Sequence, residues 1–163
     1  MLDKKTWLEL QKYVEAHLEL GVSNNMPLYS KDIILKEVSE YEIEEFIKKK
    51  RKPEFKQVLF TYIDKAGLTD PEVYNKIGMD RKHFSKIRTT QNYRPGKNTI
   101  LALAIGLELT TNETVDLLSA AGYSFSDSDI TDLVVQYCLE KNIYDIDDVN
   151  VALESYKLNP LLG

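Results

Sequence analysis

Residues 99–109, TILALAIGLEL, constrain the fold more than any other stretch. As a helix this run is apolar nearly all round, so it has no face to offer water. Such a helix belongs at the centre of a bundle, with other elements wrapped around it. The rest of the chain supplies wrappers, because almost every other segment repeats apolar residues at helical spacing. No stretch reads as a convincing strand, and no internal repeat is visible. The expected class is all-α. With 163 residues, 43% of them hydrophobic and 29% charged, the chain has the composition of an ordinary globular protein.

Punctuation residues divide the chain. Trp7, Leu8, Leu10, Tyr13, Val14 and Leu18 fall on one helix face that Gly21 would stop. A turn-rich link, GVSNNMPLY at 21–29, leads to Ser30 as an N-cap, with Asp32 in the first turn. Ile33, Ile34, Val38, Tyr41, Phe46 and Ile47 make a second stripe, which runs into KKKRK at 48–52 and ends before Pro53. Those cations suit a helix C-terminus better than a dedicated binding patch. The natural cut falls here. Residues 1–52 form an N-terminal helical pair suited to dimerisation or docking, and residues 53–163 form a compact helical bundle.

Inside the bundle, Phe55, Val58, Leu59, Tyr62 and Ile63 share a face closed by Gly67. Thr69 to Glu72 is a capping box, in which the Thr hydroxyl and the Glu carboxylate each satisfy a free backbone N–H. The short helix 70–77 ends at Gly78, a residue free to take positive φ in a tight turn. Asp80 caps a helix with Phe84 and Ile87 inward. Asn98 or Thr99 opens the central helix. Thr110 to Glu113 is a second box, leading to Val115, Leu117 and Leu118 and a Gly122 stop. Ser126 caps the next helix, and DIDDVNVALESY forms a last one before the apolar tail KLNPLLG.

The net charge of −5 hides a gradient. Residues 69–98 hold seven basic side chains against three acidic ones, whereas residues 99–163 hold two against eleven. A polyanion could be met at the first stretch and is opposed at the second. Catalysis has little material. There are two histidines, His17 and His83, and one cysteine, Cys138, set in an apolar run and expected to be a buried, inert thiol. The acidic clusters at 126–132 and 145–148 lack the central glycine and terminal Glu of a calcium loop. They read as caps and first-turn acids. No enzyme activity, metal or cofactor is expected. A lone cysteine, no signal-peptide pattern and no run of about 20 apolar residues point to a cytoplasmic protein with no membrane partner.

The stretch 68–107 resembles the lambda-repressor-like (Xre/Cro) helix-turn-helix family. The resemblance rests on the Thr69 cap, the Gly78 turn, Met79, Asp80, FSKI at 84–87, Pro95 and LALAIGL at 101–107. Two positions depart from the pattern. Asp70 stands where the family often has a Gln that braces the DNA backbone, and Tyr74 where it favours a small Ala. A longer stretch, 55–163, looks like a C-terminal helical module of some bacterial proteins, where it follows a macrodomain or another enzyme domain. The first resemblance implies a lambda-repressor-like helix-turn-helix bundle with extra C-terminal helices, acting as a bacterial DNA-binding transcription regulator. Together with the apolar N-terminal stripes, it raises the expectation of a homodimer.

If helix 80–88 enters a major groove, Arg81, Lys82 and His83 reach base edges first. Ser85, Lys86 and Arg88 lie further along, while Tyr93, Arg94 and Lys97 in the following loop could hold phosphates. The competing expectation is an accessory interaction module. In it the same helices are only a scaffold, and the acidic 108–154 region or the N-terminal stripes bind another protein. The second resemblance, Asp70 and Tyr74 favour that alternative.

Overall fold

The fold is organised around α6 (Lys97–Gly106), every residue of which from Thr99 onward is buried. The computed structural model describes residues 3–18 and 28–162, and of residues 15–18 and 28–38 the backbone alone. Among them are nine helices and no strand, so the protein is all-α. Besides α6 these are α1 (Lys4–Leu18), α2 (Leu28–Lys50), α3 (Phe55–Ala66), α4 (Asp70–Lys76), α5 (Arg81–Thr89), α7 (Thr111–Ala120), α8 (Ile130–Glu140) and α9 (Ile146–Ser155). The chain divides into two compact units, residues 1–51 and 52–163.

In the larger unit α4, α7 and α9 pack on α6, and α3 packs on α7. The approach of α4 is close. A Cβ at Gly106 would lie 2.5 Å from Ile77 Cγ2, so glycine leaves the room that the Ile77 side chain fills against α6. Leu59, Val73, Ile100, Leu103, Leu117, Val135 and Leu153 have no solvent-exposed surface. The tail closes over α9, where Leu161 is buried and its N–H donates to Asn150 Oδ1 at 3.1 Å. Cys138 is buried as well, and burial pushes its thiol up from the ordinary range.

Several helix starts differ from the sequence expectation. Helix α2 begins at Leu28, so Leu28, Tyr29 and Ser30 are helical and Ser30 is not the cap. A cap preference is worth only about 1 kcal/mol, and neither Leu nor Tyr resists helix. Helix α6 starts at Lys97 after Gly96, which leaves Thr99 buried in its first turn. Asp129, not Ser126, caps α8, its carboxylate accepting from the Asp132 N–H at 3.2 Å. Val115 is 43% exposed while Leu117 and Leu118 are fully buried, because the helical period turns position 115 outward. The Gly21 stop and the side chains of His17, Leu18, Asp32, Ile33, Ile34 and Val38 lie outside the described residues. No helix among the described residues is long and apolar enough to cross a membrane.

The smaller unit is built from α1 and α2. None of its described side chains is buried, and Leu8, Tyr13, Tyr41 and Phe46 are all more than half exposed. The last turn of α2 carries Lys48, Lys49 and Lys50, where cations complement the helix dipole.

Candidate nucleic-acid interface

The geometry of α5 is set by what precedes it. The Thr69 N–H donates to Glu72 Oε2 at 2.7 Å, which starts α4 and holds the Glu72 carboxyl below the usual carboxylate range. Helix α4 ends at Lys76, with Ile77 as its C-cap. Gly78 then takes φ 68°, and the Met79 N–H donates to the Tyr74 carbonyl at 2.8 Å. That Gly-containing turn closes α4, and Asp80 caps α5 by accepting from the Lys82 N–H at 3.1 Å.

Two inward side chains anchor α5. Phe84 and Ile87 are each 2% exposed. Phe84 meets Phe60 edge-on at 6.2 Å and Tyr74 at 5.7 Å. Tyr74, bulky where a small residue was expected, is therefore accommodated as an aromatic wall for Phe84. With 84 and 87 inward, the helical period turns 81, 82, 85 and 86 toward solvent.

The nine residues singled out in the sequence separate into two groups. Arg81, Lys82 and Lys86 are exposed, and among the described residues none of them meets a carboxylate. The Lys86 ammonium lies 4.9 Å from the centre of the Tyr93 ring, a cation–π contact made at the exposed surface. Ser85 is exposed beside it. His83 is half-buried, its Nε2 3.5 Å from Tyr93 Oη, at the outer limit of a hydrogen bond. Tyr93 thus braces two side chains of α5 from the loop.

The second group is engaged elsewhere. Arg88 grips Asp70 with two donors, Nε at 2.5 Å and Nη2 at 2.7 Å, and stacks 4.0 Å over the Phe60 ring. This fork raises the pKa of the guanidinium and neutralises a carboxylate at the start of α4. Arg94 stacks 4.0 Å over the Tyr123 ring, with a long 3.5 Å contact to the Gly122 carbonyl. Lys97 forms an ion pair with Asp132, which is 2% exposed and also accepts the Ser126 N–H at 2.7 Å.

Sequence reading did not find the partners Asp70, Phe60, Tyr123 and Asp132 for these cations. They lie 18 to 35 residues away along the chain for the hydrogen-bonded contacts, and local spacing carries no signal for that. An open cleft of about 630 Å³ lies beside the loop, lined by Phe55, Gln57, Gln91, Tyr93, Arg94 and Ala121 among others. Among the described residues no group of three or more His, Cys, Asp or Glu is placed to hold a metal ion.

The chain matches no family model, and comparison with curated proteins and with solved structures finds no match.

Proposed function

We propose that this protein is a DNA-binding regulator of the lambda-repressor-like helix-turn-helix type, with α4 and α5 as its two helices and α5 entering the major groove. The observation that supports this most is the exposed cationic start of α5. Arg81 and Lys82 sit in its first turn with no carboxylate partner among the described residues, directly after the tight turn at Gly78. In that family's docking mode the N-terminal residues of the second helix read base edges, and Arg or Lys suits the O6 and N7 of guanine. Lys86, steered by Tyr93, is aimed at a phosphate. The pairing of Asp70 with Arg88 lowers the cost of an acid at the first helix, since its charge is already met. On this reading Arg88 and Lys97 act as structural pins, and Arg94 contributes through its stacked position at the rim.

The test is binding to a labelled mixed-sequence duplex by fluorescence anisotropy over a salt series. The wild type should bind at low salt and weaken steeply as salt rises. An Arg81/Lys82/Lys86→Ala variant should lose about 100-fold in affinity at low salt, with a salt slope shallower by about 2 to 3. No binding by the wild type at low salt would overturn the reading.

One observation favours the accessory-module alternative. Ile130, Leu133 and Tyr137 are 51%, 44% and 58% exposed at helical spacing along α8. Exposed Asp127, Asp129 and Glu140 accompany them. Such an acidic, apolar stripe would suit a basic amphipathic protein segment. Normal DNA binding by a Leu133/Tyr137→Ser variant would separate that surface from the α5 face.

A further inference from the structure

The smaller unit carries an apolar helix face that nothing in the larger unit's chemistry requires. Ile43, Phe46 and Ile47 are 44%, 64% and 49% exposed, and their spacing of three and four residues puts them on one face of α2. A contiguous apolar face of this kind is seldom left to water.

The charges that flank this face say what covers it. Glu42 and Lys49 lie two turns apart on the same flank, both exposed, and neither has a partner among the described residues. The midpoint between them falls beside Phe46. A second α2 laid antiparallel about a two-fold axis at that point sets Glu42 against Lys49 of the second copy, and Lys49 against Glu42, with the three apolar residues of each copy facing one another. Antiparallel helix pairs match flank to like flank, so one flank must carry both signs at mirrored positions to fit itself reversed. This flank does. Charge does not oppose the association, since residues 1–51 hold nine basic and ten acidic side chains.

We infer that α2 is an isologous homodimerisation helix, closed by an antiparallel Ile43/Phe46/Ile47 seam and two symmetry-related Glu42–Lys49 pairs. The inference rests on the smaller unit alone and stands whether or not α5 meets DNA.

Sedimentation equilibrium on the full-length chain tests it, with helix content checked by circular dichroism. The wild type should sediment at twice the chain mass at micromolar concentration. Glu42→Lys and Lys49→Glu should each weaken the dimer about tenfold, because each turns two attractions into repulsions. The double variant Glu42→Lys/Lys49→Glu should return to within about threefold of the wild type, since the pairs are rebuilt with reversed sign. Phe46→Ser should leave a folded monomer. A monomeric wild type at about 100 μM, well above the micromolar range in which a specific interface holds, would overturn the inference. So would single charge variants that dimerise like the wild type, and so would a double variant no tighter than the singles.

Discussion

The two ends of the basic stretch carry the same residue types and do opposite things. At 81–86 the cations stand in solvent on the outer side of α5, without a carboxylate among the described residues. At 88–97 each cation is spent on an internal partner: Arg88 on Asp70 and Phe60, Arg94 on Tyr123, and Lys97 on Asp132. Charge counted along the sequence treats these ends as one patch. Charge available to a ligand does not. On the proposed reading, mutation risks loss of binding at one end and loss of fold at the other.

The sharpest way to break this contrast is Lys97→Met. It removes the cation from a carboxylate that is 2% exposed, leaving it the Ser126 N–H as its close donor from outside α8. Breaking one side of a buried pair costs about 3 kcal/mol, much of it from the stranded charge. Urea unfolding should register that loss. Adding Asp132→Asn should recover a good part of it, because the neutral amide can still accept from Ser126. DNA affinity of the folded fraction should change less than about twofold, as expected when no phosphate contact is lost. A Lys97→Met protein as stable as the wild type would show that this end resembles the exposed one.

Asp70→Asn sharpens the contrast from the other side. The Arg88–Asp70 fork is partly exposed, with side chains 48% and 29% accessible, so its loss should cost about 1 kcal/mol or less. The same change should raise DNA affinity at low salt and steepen the salt slope by up to about 1, since a carboxylate disappears and a guanidinium is released. Reduced stability with unchanged affinity would place the Arg88 end of α5 away from the duplex.

What could be read in the sequence follows the range of the interaction. The central helix, the capping boxes at Thr69 and Thr110, the Gly78 turn, the Asp80 cap and the inward Phe84 and Ile87 all depend on residues within a few positions of one another. Those signals are local and legible. The start of α8 went astray because two cap-competent residues, Ser126 and Asp129, stand close together, and local preference alone does not choose between them. The candidate interface was legible as a set of basic positions. Its division into exposed and engaged members was not, because each engaged cation is met from another helix or loop. Asp70 illustrates the limit. In sequence it is an acid placed against phosphate, and in the folded chain it is half of an ion pair with Arg88.

The smallest expected effect concerns the element that aims α5 without touching a ligand. Glu72 accepts the Thr69 N–H and hydroxyl, and these bonds depress its carboxyl pKa. A carboxyl depressed in the folded state adds stability that is complete above its unfolded value and fades as pH falls through the folded one. Glu72→Gln keeps an acceptor for the Thr69 N–H but has nothing to titrate. The two proteins should therefore differ most near neutral pH and converge as pH falls below the ordinary carboxylate range, as thermal unfolding in parallel buffers would show. A difference that stays constant across that range would mean the box acts through geometry alone. The box starts the helix that precedes α5, so on the proposed reading the variant should also loosen DNA binding slightly near neutral pH, by less than about threefold.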